Sequence, residues 1–293
     1  MSGVTRKILT VINYPDNLKS GMVTVIGIPF DAYSSFMQGA AMAPARIREI
    51  WSAGACNLCS ESGIDLGAHS EFTYLGDMDI PGESAAIKEI ERTTGELLRR
   101  DARIISLGGD HAITYPVLKS YAKKFDRLDL LHLDAHPDLY DSYDGNRYSH
   151  ACPFARIMEE KLVSRLVQIG IRTLNPHQKQ QSDRFGVEMI DMQNFQKSAT
   201  LHFEGPLYLS IDLDVLDPAF APGVSHHEPG GMSTRQVIEL IQRLKVPIVG
   251  ADIVEFNPKR DSSEITAMVA VKILKEVASR MLELPLVNLR RVR

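Results

Sequence analysis

The run Leu130-Leu131-His132-Leu133 stops in Asp134-Ala135-His136-Pro137-Asp138, and that break does most to limit what this chain can become. An extended chain turns alternate side chains to one side, so Asp134 and His136 can converge where a strand stops, and Pro137 then removes a ladder donor. The stretch 207–214 repeats the pattern, with Leu207, Leu209 and Ile211 on one face and Tyr208, Ser210, Asp212 and Asp214 on the other. Carboxylates gathered at apolar strand ends cost several kcal/mol each unless cations compensate them.

Apolar runs that read as strands, at 23–29, 72–75, 103–107, 129–133, 167–171, 187–190, 207–213 and 246–255, alternate with helical patterns. Pro44 suits the first residue of a helix through Trp51, Ser84 the cap of a helix to about Arg99, and Pro116 the start of another. A helical pattern resumes over 154–166. Ser233-Thr234-Arg235-Gln236 has capping-box spacing, and Ser262 or Ser263 is expected to cap a final helix through Met281. No repeat, low-complexity tract or Gly/Ser linker interrupts the alternation. The expectation is an α/β fold: a single three-layer α/β/α domain over residues 1–293 around a mostly parallel sheet. In such sheets ligands gather beyond the carboxyl ends of the strands. His111 after Gly108-Gly109-Asp110, the Asp134 group, the Asp212 pair and Glu255 all fall there, and the two glycines permit a tight turn with close backbone approach.

The totals exclude several classes. A net charge of −4 with scattered cations gives no field for nucleic acid. No apolar run approaches the roughly 20 residues of a membrane span. The first fifteen residues lack the apolar core of a secretory signal, and Arg6 with Lys7 makes no transit peptide, so the cytoplasm is the expected location. Cys56, Cys59 and Cys152 cannot build a disulfide framework; Cys56 and Cys59 have redox spacing but no second pair to complete a zinc site.

His111, Asp134, His136, Asp138, Asp212 and Asp214 supply two imidazoles and four carboxylates, a set suited to manganese and unlike the thiolate sets of structural zinc. One divalent ion leaves four carboxylates two charges short, whereas two ions balance them, so a binuclear centre is expected. Two metals would bring the pKa of a shared water toward neutrality, which points to hydrolysis.

These motifs resemble the ureohydrolases, the family of arginase, agmatinase and their relatives. The likeness rests on Gly108-Gly109-Asp110-His111, Asp134-Ala135-His136-Pro137-Asp138, Ser210-Ile211-Asp212-Leu213-Asp214-Val215-Leu216-Asp217-Pro218 and Glu255-Phe256-Asn257-Pro258. Within the family it is strongest to plant-type arginases, through Ser34-Ser35-Phe36-Met37-Gln38-Gly39, Gly145-Asn146-Arg147-Tyr148-Ser149-His150 and Pro222-Gly223-Val224-Ser225-His226. The resemblance implies a hydrolase with two Mn2+ ions on an eight-stranded parallel sheet, assembled as trimers or hexamers. By position, His111, Asp134, Asp138 and Asp212 match the ligands of the first ion. Asp134, His136, Asp212 and Asp214 match those of the second, with Asp134 and Asp212 bridging. Asp138 would also hydrogen-bond the bridging hydroxide, Glu255 would salt-bridge the substrate guanidinium, and His150 would shuttle the proton that the leaving amine takes.

Other polar residues have structural readings. Asp217 before Pro218 suits a turn, Asp110 would orient its neighbour or cap the turn, and His132 reads as a hydrogen-bonded core histidine. His226 or His227 would line the mouth of the site. The loop 140–149 is the expected reader of the substrate tail: Ser142, Asn146, Arg147 and Ser149 can donate to a carboxylate, while Asp141 and Asp144 can hold an amine. The plant-type likeness points to L-arginine, with agmatine next and 4-guanidinobutyrate after it. The rival classes are a metal-dependent amidase or deacetylase, which would not need Glu255, and an idle binding relative, which would have lost a ligand or His150.

Overall fold

A computed structural model describes residues 18–195 and 201–286; the N-terminal stretch read for a signal lies outside the described residues. Eight strands, β1 (Val23–Ile28), β2 (Phe72–Asp77), β3 (Arg103–Gly108), β4 (Asp129–Leu133), β5 (Arg165–Ile171), β6 (Glu188–Asp191), β7 (Leu207–Asp212) and β8 (Ile248–Val254), form one sheet. Their order is β2-β1-β3-β8-β7-β4-β5-β6, and every pair is parallel. Helices α1 (Ala43–Ser52), α6 (Thr234–Arg243) and α7 (Ile265–Glu283) pack on one face. The other face carries α2 (Glu83–Arg99), α3 (Thr114–Ala122), α4 (Pro153–Glu159) and α5 (Pro176–Phe185). The three-layer α/β expectation holds, and the sheet is wholly parallel.

Strand alternation explains the two cores. Leu207, Leu209 and Ile211 of β7 enter the core under α1, α6 and α7, whereas Tyr208 points into the one under α2, α3 and α4. Both faces of the central strands are covered, so they read as continuous apolar runs. The capping box that opens α6 is present in full: Ser233 Oγ accepts from Gln236 N, and the Gln236 side chain accepts from Ser233 N. Among the described residues no helix is long and apolar enough to cross a membrane.

Several elements depart from the sequence reading. Helix α2 has Gly82, not Ser84, at its N-cap and no side-chain cap bond. Neither Ser262 nor Ser263 caps α7; a left-handed turn at Glu264 brings Asp261 back over the helix, and its carboxylate accepts from Thr266 N and Ala267 N. The helical pattern over 154–166 ends at Glu159, where left-handed Lys161 stops it before β5. Pro116 is the third residue of α3, not its first, because a single 3₁₀ turn at 111–113 precedes the helix.

The central neighbours β3, β8, β7 and β4 end side by side at their carboxyl edge. Close approach there depends on Gly109, where a Cβ atom would stand 1.8 Å from the Phe30 carbonyl oxygen. Gly109→Ala is therefore expected to lower unfolding free energy by about 3 kcal/mol. Urea unfolding checks this, and a variant as stable as the parent would show the contact to be slack.

Candidate active site

Three strand ends deliver the predicted ligands to one spot. His111 follows β3, Asp134, His136 and Asp138 follow β4, Asp212 closes β7 and Asp214 lies in the turn after it. His111, Asp134, Asp138, Asp212 and Asp214 are buried, while His136 is about a quarter exposed and opens to a cleft. His111 Nδ1 stands 3.2 Å from one oxygen each of Asp134, Asp138 and Asp212. His136 Nδ1 lies 2.9 Å from Asp214 Oδ2 and 3.4 Å from Asp134 Oδ1. Asp134 thus turns Oδ2 to one cluster and Oδ1 to the other.

The bonding behind His111 tests whether these residues suit a cation. Ser210 Oγ donates its one proton to Asp252 Oδ1 at 2.6 Å, so it can only accept from His111 Nε2, 2.9 Å away. Asp252 is held in turn by Tyr208 OH and Thr114 Oγ1. With Nε2 donating, Nδ1 faces three carboxylate oxygens and has no hydrogen-bond partner. A proton on Nδ1 can serve one oxygen; a divalent ion engages all four donors, and neighbouring donors on a six-coordinate ion stand roughly 3 Å apart for bonds of about 2.1 Å. The electrostatics agree. Burial and the neighbouring Asp214 and Asp134 push the Asp212 carboxyl well above its ordinary range, and burial with Asp134 raises Asp214 to about 6. Burial works against charge on His111 too, yet the three carboxylates hold its pKa well above normal. The donor set fits divalent cations.

His132 is a core histidine, as its position suggested, and it also touches the site. Gln168 Nε2 donates to the Pro137 carbonyl at 2.7 Å, which fixes which end of the amide faces that oxygen, and the same nitrogen meets His132 Nδ1 at 2.9 Å. His132 Nδ1 must then accept, so Nε2 carries the proton that reaches Asp134 Oδ2 at 2.8 Å. Sequence reasoning missed Gln168, Asp252 and also Arg172, whose guanidinium donates to the carbonyls of Gly170, Asp214, Leu216 and Glu228 and so holds the turn after β7. Ser210 was legible, since it shares a strand face with Asp212.

Asp138 and Glu255 both adopt left-handed backbone, with φ of 50° and 64°. For non-glycine residues that conformation carries strain, and such strain gathers at functional positions. Glu255 Oε1 accepts from His111 N and from His150 Nδ1, both at 2.9 Å. Burial alone would lower the His150 pKa, but the facing Glu255 carboxylate outweighs it and holds the ring at about 9.

These groups border a cleft of about 200 Å³, together with Ser35, Tyr140, Tyr143, Thr173, Gln178 and His226. His226, predicted at the mouth, is there, its ring 5.2 Å from that of His150. His227 is not among the lining residues; it contacts the Pro222 carbonyl and Arg260. The structure does not bring Asn146, Arg147 or Ser149 to the cleft lining. Arg147 is paired with Asp141 and Glu159, Asn146 Oδ1 accepts from Tyr148 N, and Ser149 Oγ donates to the Tyr33 carbonyl. Asp217 is a turn residue, taking the N–H groups of Ala219, Gly230 and Gly231. Asp110 caps the turn before α3 and also accepts from Tyr33 N. Cys56, Cys59 and Cys152 are free thiols.

Residues 22–279 match the model of the arginase family. The chain belongs to that family. It is 42% identical over 275 residues to "Arginase 1, mitochondrial" of Arabidopsis thaliana, covering 88% of this chain and 80% of that one. The solved structure of arginase from Medicago truncatula superposes with a TM-score of 0.84 at 40% identity, covering 89% of this chain and 88% of the other. An agmatinase of Bacillus cereus is 31% identical over 271 residues, 89% and 92% of the two chains. The protein is therefore a ureohydrolase of the arginase family, a family of metalloenzymes acting on small guanidino substrates.

The donor from His132 to Asp134 predicts a measurable effect. His132→Phe keeps the ring against Phe154, 3.8 Å away, but removes the N–H. Mn2+ affinity by titration calorimetry should fall about 10- to 100-fold while cation-free thermal unfolding stays near that of the parent. Unchanged affinity would show that this bond does not support the site.

Proposed function

We propose that this ureohydrolase converts L-arginine to L-ornithine and urea at a centre of two Mn2+ ions. The observation that carries the reading is Glu255, a buried carboxylate facing the same cleft as the ligand cluster, where a planar guanidinium could be held by paired N–H bonds. His111, Asp134, Asp138 and Asp212 would hold one cation, and Asp134, His136, Asp212 and Asp214 the other. When bound, the cations supply Lewis acidity that makes water a nucleophile near neutral pH.

The protein's own groups do the rest. Glu255 neutralises and orients the guanidinium, presenting its carbon to the ligand cluster. Asp138 accepts a hydrogen bond from the attacking water. His150, kept protonated by Glu255, supplies the proton that the leaving amine takes as the C–N bond breaks, a contribution of about 10²–10⁴-fold for a positioned acid. Tyr140, Tyr143 and Thr173, with His226, line the mouth, and their polar groups can meet the α-carboxylate of the substrate tail. Arg147 is withdrawn from that role, since its guanidinium is already paired with carboxylates.

Identity of 42% to a plant arginase against 31% to an agmatinase supports arginine as substrate. One feature favours agmatine as the second reading: no lysine or arginine stands among the cleft-lining residues to attract a carboxylate. A trimer or hexamer follows from the family likeness. The proposed location is the cytoplasm, where the free thiols Cys56, Cys59 and Cys152 suit a reducing compartment; the Arabidopsis relative is named mitochondrial.

Urea release by the manganese-loaded protein, with L-arginine, agmatine and 4-guanidinobutyrate compared at matched concentration, decides the substrate. Arginine is expected to lead, and agmatine leading would keep the class and overturn the substrate. Glu255→Gln should lower kcat/KM for arginine about 100-fold or more. Retained activity in that variant would instead favour an amidase that has no cation to hold.

A further inference from the structure

His150 is buried, with Glu255 behind it, so a proton must reach or leave its ring from the cleft side. What stands there is set by a pinned loop. Asp110 Oδ2 accepts from Tyr33 N at 3.0 Å and from Ser34 Oγ at 3.3 Å, and the Tyr33 carbonyl accepts from His150 N at 3.2 Å. These bonds bring Ser35 against the imidazole. Ser35 N donates to His150 Nε2 at 3.1 Å, and Ser35 Oγ lies 2.8 Å from the same nitrogen.

A backbone N–H can only donate. The neutral ring must therefore offer a lone pair at Nε2 and carry its proton on Nδ1, where Glu255 accepts it. The protonated ring reverses the demand at Nε2, which becomes a second donor opposed to the Ser35 N–H. Of the two Ser35 groups at Nε2, only the hydroxyl suits both states, because it can rotate from donating to accepting. Ser35 is also exposed where His150 is not, so its hydroxyl joins the buried ring to the open cleft. The other titratable groups facing His150 are Glu255 beyond β8, Asp110 beyond β3, Asp138 beyond β4 and His226 on the loop after β7. None of them is hydrogen-bonded to Nε2 among the described residues.

We propose that Ser35 is the relay and positioning residue of His150, a role that rests on the reading of His150 as the acid. In delivery, the Ser35 hydroxyl proton passes to the leaving amine nitrogen as the C–N bond breaks, and the proton on Nε2 moves onto Oγ. Recovery runs the other way: Oγ takes a proton from cleft water and returns one to Nε2. The proton lost by the attacking water balances the one the amine gains, so the relay ends each turnover unchanged.

The test compares Ser35→Ala, Ser35→Thr and His150→Ala in the manganese-loaded enzyme, reading kcat, KM, bound metal and rescue by free imidazole. Ser35→Ala should lower kcat about 10- to 100-fold with KM and metal content unchanged, and imidazole in the assay should recover part of that loss. Ser35→Thr, which restores a hydroxyl, should recover most of it. If Ser35→Ala keeps full kcat while His150→Ala loses it, the relay is wrong and the acid role of His150 stands. If His150→Ala keeps full kcat, that role falls and the relay with it. Equal losses in Ser35→Ala and Ser35→Thr, with KM or metal content disturbed, would reduce Ser35 to a loop residue and overturn the relay.

Discussion

Four carboxylates, from Asp134, Asp138, Asp212 and Asp214, are buried close together at the edge of an apolar sheet, and much of the surrounding structure answers the cost of that arrangement. Isolated charges in a low-dielectric interior are costly, and like charges this close raise the cost further. Part of the answer is local. Ala135 N donates to Asp214, His136 N to Asp134 and Asp214 N to Asp212, so the turns that end the strands also solvate the acids. The remainder is left to cations, as the three oxygens around an unpartnered His111 nitrogen imply.

Behind the ligands lie two chains of hydrogen bonds. Asp252 of β8 and Ser210 of β7 orient His111, while Gln168 and His132 orient Asp134 across the β4–β5 pair. Both fix a histidine tautomer and so set the direction of its lone pair; the first does so with a buried carboxylate held by three hydroxyl donors, the second with an amide. The two chains start on different strands and meet at the same cluster, where small displacements of ligand atoms would be most felt.

Much of this was legible because a period of two is simple to read. The endings of β4 and β7 announce the ligands, Gly108-Gly109 announces the turn that carries His111, and the lack of any linker announces one sheet. The chain is harder to read where contacts come from elsewhere in the fold. Helix α5 went unnoticed because between Pro176 and Phe185 it has no apolar side chain, although Asn175 before Pro176 and left-handed Gly186 mark its ends. Asp261 caps α7 from several residues upstream, which a search for an adjacent serine cannot find. Arg147 looked like a carboxylate reader by type, but its partners Asp141 and Glu159 are a matter of three-dimensional neighbourhood. Gln168 has no signature of its own, and the motif that holds Ser35 does not say which side chain it meets; each matters through the imidazole it faces.

The order β3-β8-β7-β4 has a consequence for how the molecule comes together. His111 and Glu255 are neighbours because β3 pairs with β8, the last strand among the described residues, so no short fragment contains the complete ligand and acid set. The site is complete only when strands from distant parts of the chain have paired. A cation that binds only the closed sheet adds its binding free energy to the folded state alone, about 4 kcal/mol at a thousand times its dissociation constant. Metal supply would then govern how long the folded chain persists, as well as how fast it turns over.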